Sequence, residues 1–129
     1  DAFDALIIRT LPNPPEKHSR NYDRVPAPFF SSEAMQWIVA RNVKHLVVDL
    51  PSVDRANDEG RLSAHRIFWN VPPGITTLTQ DARRTATITE LAFIDDNLAE
   101  GPYLLNLQVA PFEADAAPSR PIVLPLKPA

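Results

Sequence analysis

Apolar residues in this chain fall into short runs that are separated by polar and proline-rich segments. Such runs lie at residues 5–11, 44–50, 62–69, 85–94, 103–110 and 122–124. Short apolar runs that are rich in β-branched and aromatic residues and bounded by turn residues are typical of β-strands. The pattern therefore predicts about six strands.

One segment, between the first two predicted strands, has the periodicity of a helix. Ser31 can serve as its N-cap, because a serine hydroxyl accepts a hydrogen bond from the first turn. Ala34, Trp37 and Ile38 follow at the spacing of one apolar helical face. Asn42 can adopt the left-handed conformation that ends a helix. Strand, helix and strand in this order predict a βαβ-like unit and the α/β fold class, with one main helix.

The size of the chain limits it to one domain. Its 129 residues, of which 44% are hydrophobic, suffice for one hydrophobic core. We therefore expect a single domain over residues 1–129. The 14 prolines predict loops with a fixed backbone, among them residues 12–28 and 70–84.

Charge and composition exclude several classes of function. The chain has 13 Lys and Arg against 16 Asp and Glu, a net charge of −3, and so lacks the basic excess of nucleic-acid-binding proteins. No stretch approaches 18 consecutive apolar residues, which argues against a membrane span. Without cysteine there is no thiolate zinc site and no cysteine nucleophile. The first ten residues lack the features of a signal peptide, and we expect a cytoplasmic protein.

Two residues in the predicted strands are candidates for chemistry. His65 lies in the run at residues 62–69 and Glu90 in the run at residues 85–94. A carboxylate within a buried strand is costly unless it is paired or binds a metal. If the two strands pair with His65 opposite Glu90, their Cβ atoms would lie about 5 Å apart, close enough for both side chains to hold one divalent ion. An exposed glutamate and a hydrogen-bonded histidine would explain the same pattern.

A polar cluster follows the run at residues 44–50. Asp49, Ser52, Asp54 and Arg55 place two carboxylates, a hydroxyl and a guanidinium close together in the sequence. Open α/β sheets carry their binding sites at such strand ends, so these residues are candidates for lining a site. A turn stabilised by Asp or Ser side chains, with a surface ion pair, is the alternative.

Several segments resemble the cyclase family of metal-dependent hydrolases, whose best-known activity is that of bacterial kynurenine formamidase (arylformamidase). They are HLVVDLPSVDR, DEGRLSAHRIFW, TITELAFI and GPYLLNLQVAPFEADAAPSRPIVLPL, together with DALIIRTLPN and the SSEAMQWIVARNVKHL helix. The resemblance extends from about residue 4 to residue 124. It implies a swivelling β/β/α fold and hydrolysis of an amide or related acyl bond in a small-molecule amide or ester by metal-activated water.

The resemblance also assigns roles to particular residues. The histidine of the family's (S/A)-H-R segment falls on His65 and the glutamate of its next strand falls on Glu90, which implies that both are metal ligands. Ser52 and Asp54 would line the site or orient its ligands, with Asp49 and Arg55 beside them. The implied cofactor is a divalent metal, zinc first and manganese second.

The chain departs from the family in one respect. The family's His-x-Gly-Thr-His-x-Asp-x-Pro motif, which supplies the remaining ligands and the general base, is absent from the sequence. We therefore expect the C-terminal half of a cyclase-like domain, with no catalytic residue of its own, whose missing N-terminal half is a separate chain or has been removed. We expect it to associate with that partner or as a homo-oligomer. The alternative is a non-catalytic structural or dimerisation module.

Overall fold

The computed structural model describes residues 3–126, which form a mixed α/β fold as predicted. Within these residues, two α-helices and five strands are arranged in two sheets. The elements are β1 (Ala5–Ile8), a 3-10 helix (Pro15–Ser19), α1 (Ser32–Val39), β2 (His45–Val48), α2 (Ser63–Trp69), β3 (Thr87–Thr89), β4 (Tyr103–Val109) and β5 (Ser119–Pro125). Two compact units result, the first ending at Ile94 and the second beginning at Asp95.

The first unit contains a three-stranded parallel sheet in the order β1-β2-β3. Leu46 in the central strand is opposite Leu6 on one side and Ile88 on the other. Parallel pairing of β1 and β2 across α1 confirms the predicted βαβ-like unit. Because all three strands run in the same direction, their carboxyl ends meet at one edge of the sheet.

Both ends of α1 follow the sequence signals. The Ser31 hydroxyl accepts a hydrogen bond from the Ala34 amide at 3.2 Å, which satisfies one of the free N–H groups of the first turn. Asn42, just beyond the helix, has a φ of 58°, the left-handed conformation expected there.

The predicted apolar face of α1 is wrong at Ala34 and Trp37, both of which are exposed, and the exposed fraction of Trp37 is 54%. The residues that α1 buries are Met35 and Ile38, which are three positions apart and therefore share a face. The Trp37 ring instead lies under the guanidinium of Arg41, whose Cζ is 3.3 Å from the ring centre. A cation over an aromatic face is favourable on an exposed surface, so the indole needs no place in the core.

The segment at residues 62–69 is a helix, not the strand that its apolar run predicted. Ala64 and Phe68, one turn apart, are both buried, which is a helical pattern. The residues that flank the helix, Leu62 and Asn70, have φ of 49° and 54°. These left-handed conformations are incompatible with a β-strand that continues through either residue. The predicted strand at residues 85–94 is likewise shorter than expected, because only β3 is regular. The expected one helix and six strands are therefore two α-helices and five strands in the described chain.

The core of the first unit lies between β2 and the two α-helices. Its buried members are Met35, Ile38, Val43, Leu46, Val48, Leu50, Val53, Ala64, Phe68 and Ala86. Arg83 anchors the end of α2 to this core, donating hydrogen bonds to the carbonyls of Phe68, at 2.6 Å, and Val43. Burial lowers the pKa of the Arg83 guanidinium from its ordinary value. The residue therefore fixes where α2 ends relative to the start of β2.

A buried ion pair joins the 3-10 helix to the sheet. The Lys17 ammonium lies 2.6 Å from Asp49 Oδ2, and the exposed fractions of the two side chains are 4% and 1%. Lys17 also donates to the carbonyl and hydroxyl of Thr10, at 2.7 and 2.8 Å. Thr10 in turn donates its N–H and hydroxyl to the two oxygens of Asp49, both at 2.9 Å. Both buried charges are thus surrounded by hydrogen-bonding partners, as a low-dielectric site requires.

The second unit is built on an antiparallel hairpin of β4 and β5. Leu104 is opposite Leu124, and both are exposed, as is Ile122 on the same face. Neither α-helix in the described part of the chain is long and apolar enough to cross a membrane.

We expect Lys17→Met to destabilise the first unit strongly, because it leaves the buried Asp49 carboxylate without a cation. Removing one partner of a buried ion pair costs about 3–5 kcal/mol. Urea unfolding followed by circular dichroism measures the loss.

The matched control is Lys44→Met. Lys44 pairs with Asp4 at 2.8 Å, but both side chains are exposed, and such pairs contribute little to stability. Combining Lys17→Met with Asp49→Leu should restore much of the lost stability, because no buried charge is then left alone. Equal losses for the two lysine variants would contradict the buried pair.

Candidate functional site

The fold brings His65 and Glu90 together. His65 lies in the first turn of α2, and Glu90 directly follows the last residue of β3. His65 Nε2 is 3.4 Å from Glu90 Oε1, and the exposed fractions of the side chains are 16% and 26%. The expected proximity is therefore present, but the expected cause is wrong: a helix faces the end of a strand, whereas two paired strands were predicted.

Asp54 holds the start of α2 and the ring of His65 at the same time. Its Oδ1 accepts the Ala64 amide at 2.6 Å, and its Oδ2 accepts the His65 amide at 3.2 Å. Oδ2 also lies 2.7 Å from Nδ1 of the His65 ring. Leu62, at the N-cap position, gives α2 no side-chain cap, so Asp54 supplies the cap from ten residues upstream of Ala64.

The Glu90 carboxylate is held by the residue next to Asp54. The Val53 amide donates to Glu90 Oε1 at 2.8 Å. After Glu90 the strand is interrupted, since Leu91 has a φ of 55°, a left-handed conformation that costs a non-glycine residue free energy. Its amide bonds to the Leu50 carbonyl at 2.8 Å. The interruption turns the chain where Glu90 projects, as irregularities in sheets near sites often do.

The His65 ring also packs against an aromatic neighbour. The centres of the His65 and Trp69 rings are 5.3 Å apart, one helical turn along α2. Trp69 is itself fixed by the hydrogen bond of its Nε1–H to the Ala86 carbonyl at 2.9 Å. The imidazole is therefore restrained by the carboxylate of Asp54 at Nδ1 and by an indole beside it.

Asp49 and Ser52, which were also predicted to line the site, have hydrogen bonds to residues other than His65 and Glu90. Both oxygens of Asp49 are bonded to Thr10 and Lys17, so this carboxylate belongs to the buried ion pair described above. The Ser52 hydroxyl accepts the Asp54 amide at 3.1 Å, as in the turn that was the alternative interpretation.

A cavity of about 530 Å³ lies between the N-terminus of α1 and the loop that precedes α2. Asp54 and Arg55 both line it, with Phe29 and Ser63 among the other lining residues. The Arg55 guanidinium lies over the Phe29 ring, with Cζ 4.5 Å from its centre. Asp54 is thus shared by the cavity and by the His65–Glu90 pair.

Asp58 shapes the loop between Asp54 and α2. It accepts the amides of Leu62 at 2.5 Å and Gly60 at 2.8 Å. The hydrogen bond from Leu62 lowers the pKa of the Asp58 carboxyl below its ordinary value. The turn needs the left-handed φ of 74° at Gly60, which glycine adopts at no steric cost.

The geometry of His65 and Glu90 can be compared with that of a shared metal ion. Two ligand atoms that each lie about 2.1 Å from one tetrahedral zinc ion are about 3.4 Å apart. The Nε2–Oε1 distance of 3.4 Å agrees with this separation and is longer than an ordinary N–H···O hydrogen bond. A carboxylate on the other ring nitrogen is also the usual surrounding of a metal-binding histidine. The pair therefore fits two ligand positions, although residues 3–126 contain no group of three or more ligating side chains.

Sequence reasoning missed two features of this site. The hydrogen bond that orients Glu90 comes from the backbone amide of Val53, and a backbone amide leaves no signal in the residue type. The cap from Asp54 to α2 joins positions that no local helix motif connects. Asn70, which follows Trp69 in a left-handed conformation, is a residue type typical of a helix C-terminus and could have indicated that residues 62–69 form a helix.

Comparison with known proteins gives one family match. Residues 1–55 match the family model described as "Putative cyclase", which supports the cyclase family. The matched part is less than half of the 129 residues and ends at Arg55, so it contains Asp54 but neither His65 nor Glu90. No curated protein matches the chain.

We expect this chain alone to bind zinc weakly, because zinc sites in proteins use three or four ligands and the pair offers two. Calorimetric titration of the chain with zinc measures the affinity. His65→Ala should abolish the weak binding, whereas His45→Ala should leave it unchanged, since Nδ1 of His45 pairs with the Thr87 hydroxyl on the sheet. A nanomolar site on the chain alone would contradict the prediction.

Proposed function

We propose that the protein to which this chain belongs is a metal-dependent hydrolase of the cyclase type that cleaves an amide or related acyl bond. The observation that carries the proposal is the 3.4 Å separation of His65 Nε2 and Glu90 Oε1, with each side chain held by a neighbouring group. The family match over residues 1–55 and the resemblance of the later segments support the same class.

In this proposal, His65 and Glu90 hold a divalent ion, zinc or else manganese. A divalent ion polarises a carbonyl group and makes water a nucleophile near neutral pH. The residues of this chain contribute positioning: Asp54 orients the imidazole of His65, and the Val53 amide orients the carboxylate of Glu90. Imidazole and carboxylate suit several first-row metals, which is why manganese stays an alternative.

The remaining ligands and the general base come, in this proposal, from a partner. Catalytic zinc sites use three protein ligands and keep a further position for water or substrate. Two ligands from this chain therefore call for at least one more from another part of the protein, a separate chain or a second copy. The proposed arrangement is that of the swivelling β/β/α fold of the family.

The proposed substrate is a small-molecule amide or ester, and an aryl formamide is the finer proposal. Support for an aromatic substrate comes from the resemblance to arylformamidases. The proposed place for the rest of the substrate is the cavity of about 530 Å³, which Phe29 and Arg55 border, because Asp54 both lines this cavity and contacts His65. His65 and Glu90 are not among the residues that line it.

In the complete protein, we expect His65→Ala and Glu90→Gln each to abolish hydrolysis of aryl formamides and esters. Each change removes one of the two ligands that this chain supplies, so either alone should nearly empty the metal site. The double variant should then lose little more than either single variant, because residues that act as one unit are not additive. Turnover and metal content are measured together on all three variants.

The matched controls are His45→Ala and Glu16→Gln, which remove a histidine on β2 and an exposed glutamate in the 3-10 helix. Both controls should retain activity and metal. Near-normal turnover with His65→Ala or Glu90→Gln would show that the pair is structural and would favour a non-catalytic module.

A further inference from the structure

We propose that Asp54 is a positioning residue that fixes the tautomer of His65, so that Nδ1 carries the proton and Nε2 keeps its lone pair on the side of Glu90. The inference rests on the proposed function for its consequence, metal binding at Nε2. Its physical basis is separate, because it concerns hydrogen bonds within this chain.

The partners of the Asp54 carboxylate determine where the ring proton lies. An ionised carboxylate only accepts hydrogen bonds. Asp54 Oδ2 lies 2.7 Å from Nδ1 of His65, so Nδ1 must be the donor in this contact. A neutral imidazole has one N–H, and Nε2 is therefore left as the acceptor nitrogen that a metal ion requires.

The start of α2 prevents the carboxylate from turning away. Asp54 accepts two backbone N–H groups, from Ala64 and His65, in addition to the ring nitrogen. Its side chain is 6% exposed, so rotation would leave helix amides without a partner in a buried place. The same interactions that cap the helix thus aim Oδ2 at the ring.

The two residues before Asp54 help to orient Glu90, the other candidate ligand. Val53, which precedes Asp54, donates its amide to Glu90 Oε1 at 2.8 Å. Ser52 accepts the Asp54 amide at 3.1 Å and so fixes the turn between them. Three consecutive residues therefore set the orientation of both candidate ligands, and Glu90 is oriented through a backbone amide.

The test is Asp54→Asn in the complete protein, freed of metal and compared with the unaltered protein in the same buffer. Long-range ¹H–¹⁵N spectra of the histidine rings distinguish a protonated from an unprotonated ring nitrogen. In the unaltered protein we expect a protonated Nδ1 and an unprotonated Nε2 on His65. In Asp54→Asn a single oxygen replaces the two that face the Ala64 N–H, the His65 N–H and Nδ1, so the ring proton is held less strongly at Nδ1 and the fraction of His65 protonated at Nε2 should rise.

The second readout is the affinity of the complete protein for zinc. Loss of such a supporting group costs about 10–100-fold in metal affinity, and we expect a decrease of this size for Asp54→Asn. Asp58→Asn is the matched control, because Asp58 also accepts an amide at the start of α2, from Leu62, whereas its second donor is the amide of Gly60 and not a histidine ring. It should change neither the tautomer nor the affinity for zinc.

Three results would overturn the proposal: a protonated Nε2 in the unaltered protein, an unchanged His65 tautomer in Asp54→Asn, or zinc affinity unchanged by that variant. The first of these needs no variant, so the proposal can be refuted even if Asp54→Asn does not fold. A shifted tautomer with weaker zinc binding, in a protein that hydrolyses none of the amides and esters tested, would support the positioning role while refuting the proposed function.

Discussion

The hydrogen bonds that Asp54 accepts from the beginning of α2 are the constraint on which the rest of the first unit depends. The helix carries buried Phe68 and Ala64 into the core, and its end is tied back by Arg83. Its start has no cap of its own and is held by a carboxylate that follows β2. The position of α2 is therefore fixed by the sheet, and His65 in its first turn takes its place from the same contact.

Asp49 and Asp54 both follow β2, but their carboxylates have different roles because their hydrogen-bonding partners differ. Asp49 meets the ammonium of Lys17 and both polar groups of Thr10, and its requirements are met within the fold. Asp54 accepts the backbone N–H groups of Ala64 and His65 and lies beside Nδ1 of an imidazole whose other nitrogen faces Glu90. A polar cluster in the sequence does not distinguish these cases, since both are an aspartate near the end of an apolar run.

Much of the βαβ-like unit could be predicted from the sequence because the signals that mark its elements are local. The serine cap at Ser31 and the left-handed Asn42 mark the ends of α1, and each acts within four residues of the helix. The segment at residues 62–69 was assigned wrongly because a short apolar run suits a strand or a helix equally. What decides for a helix is the contact with Asp54, which depends on the fold. The proximity of the histidine and the glutamate was expected from the resemblance, and no periodicity could have supplied the helix-to-strand geometry.

The bond from Val53 to Glu90 has a consequence for how the chain can vary over evolutionary time. The donor is a peptide N–H, so the bond itself is compatible with every side chain at this position except proline, which has no such hydrogen. The buried side chain of Val53 limits the choice further, to residues of similar volume. Substitution by isoleucine would thus preserve the support of Glu90, and two relatives could share this support without sharing the residue that provides it.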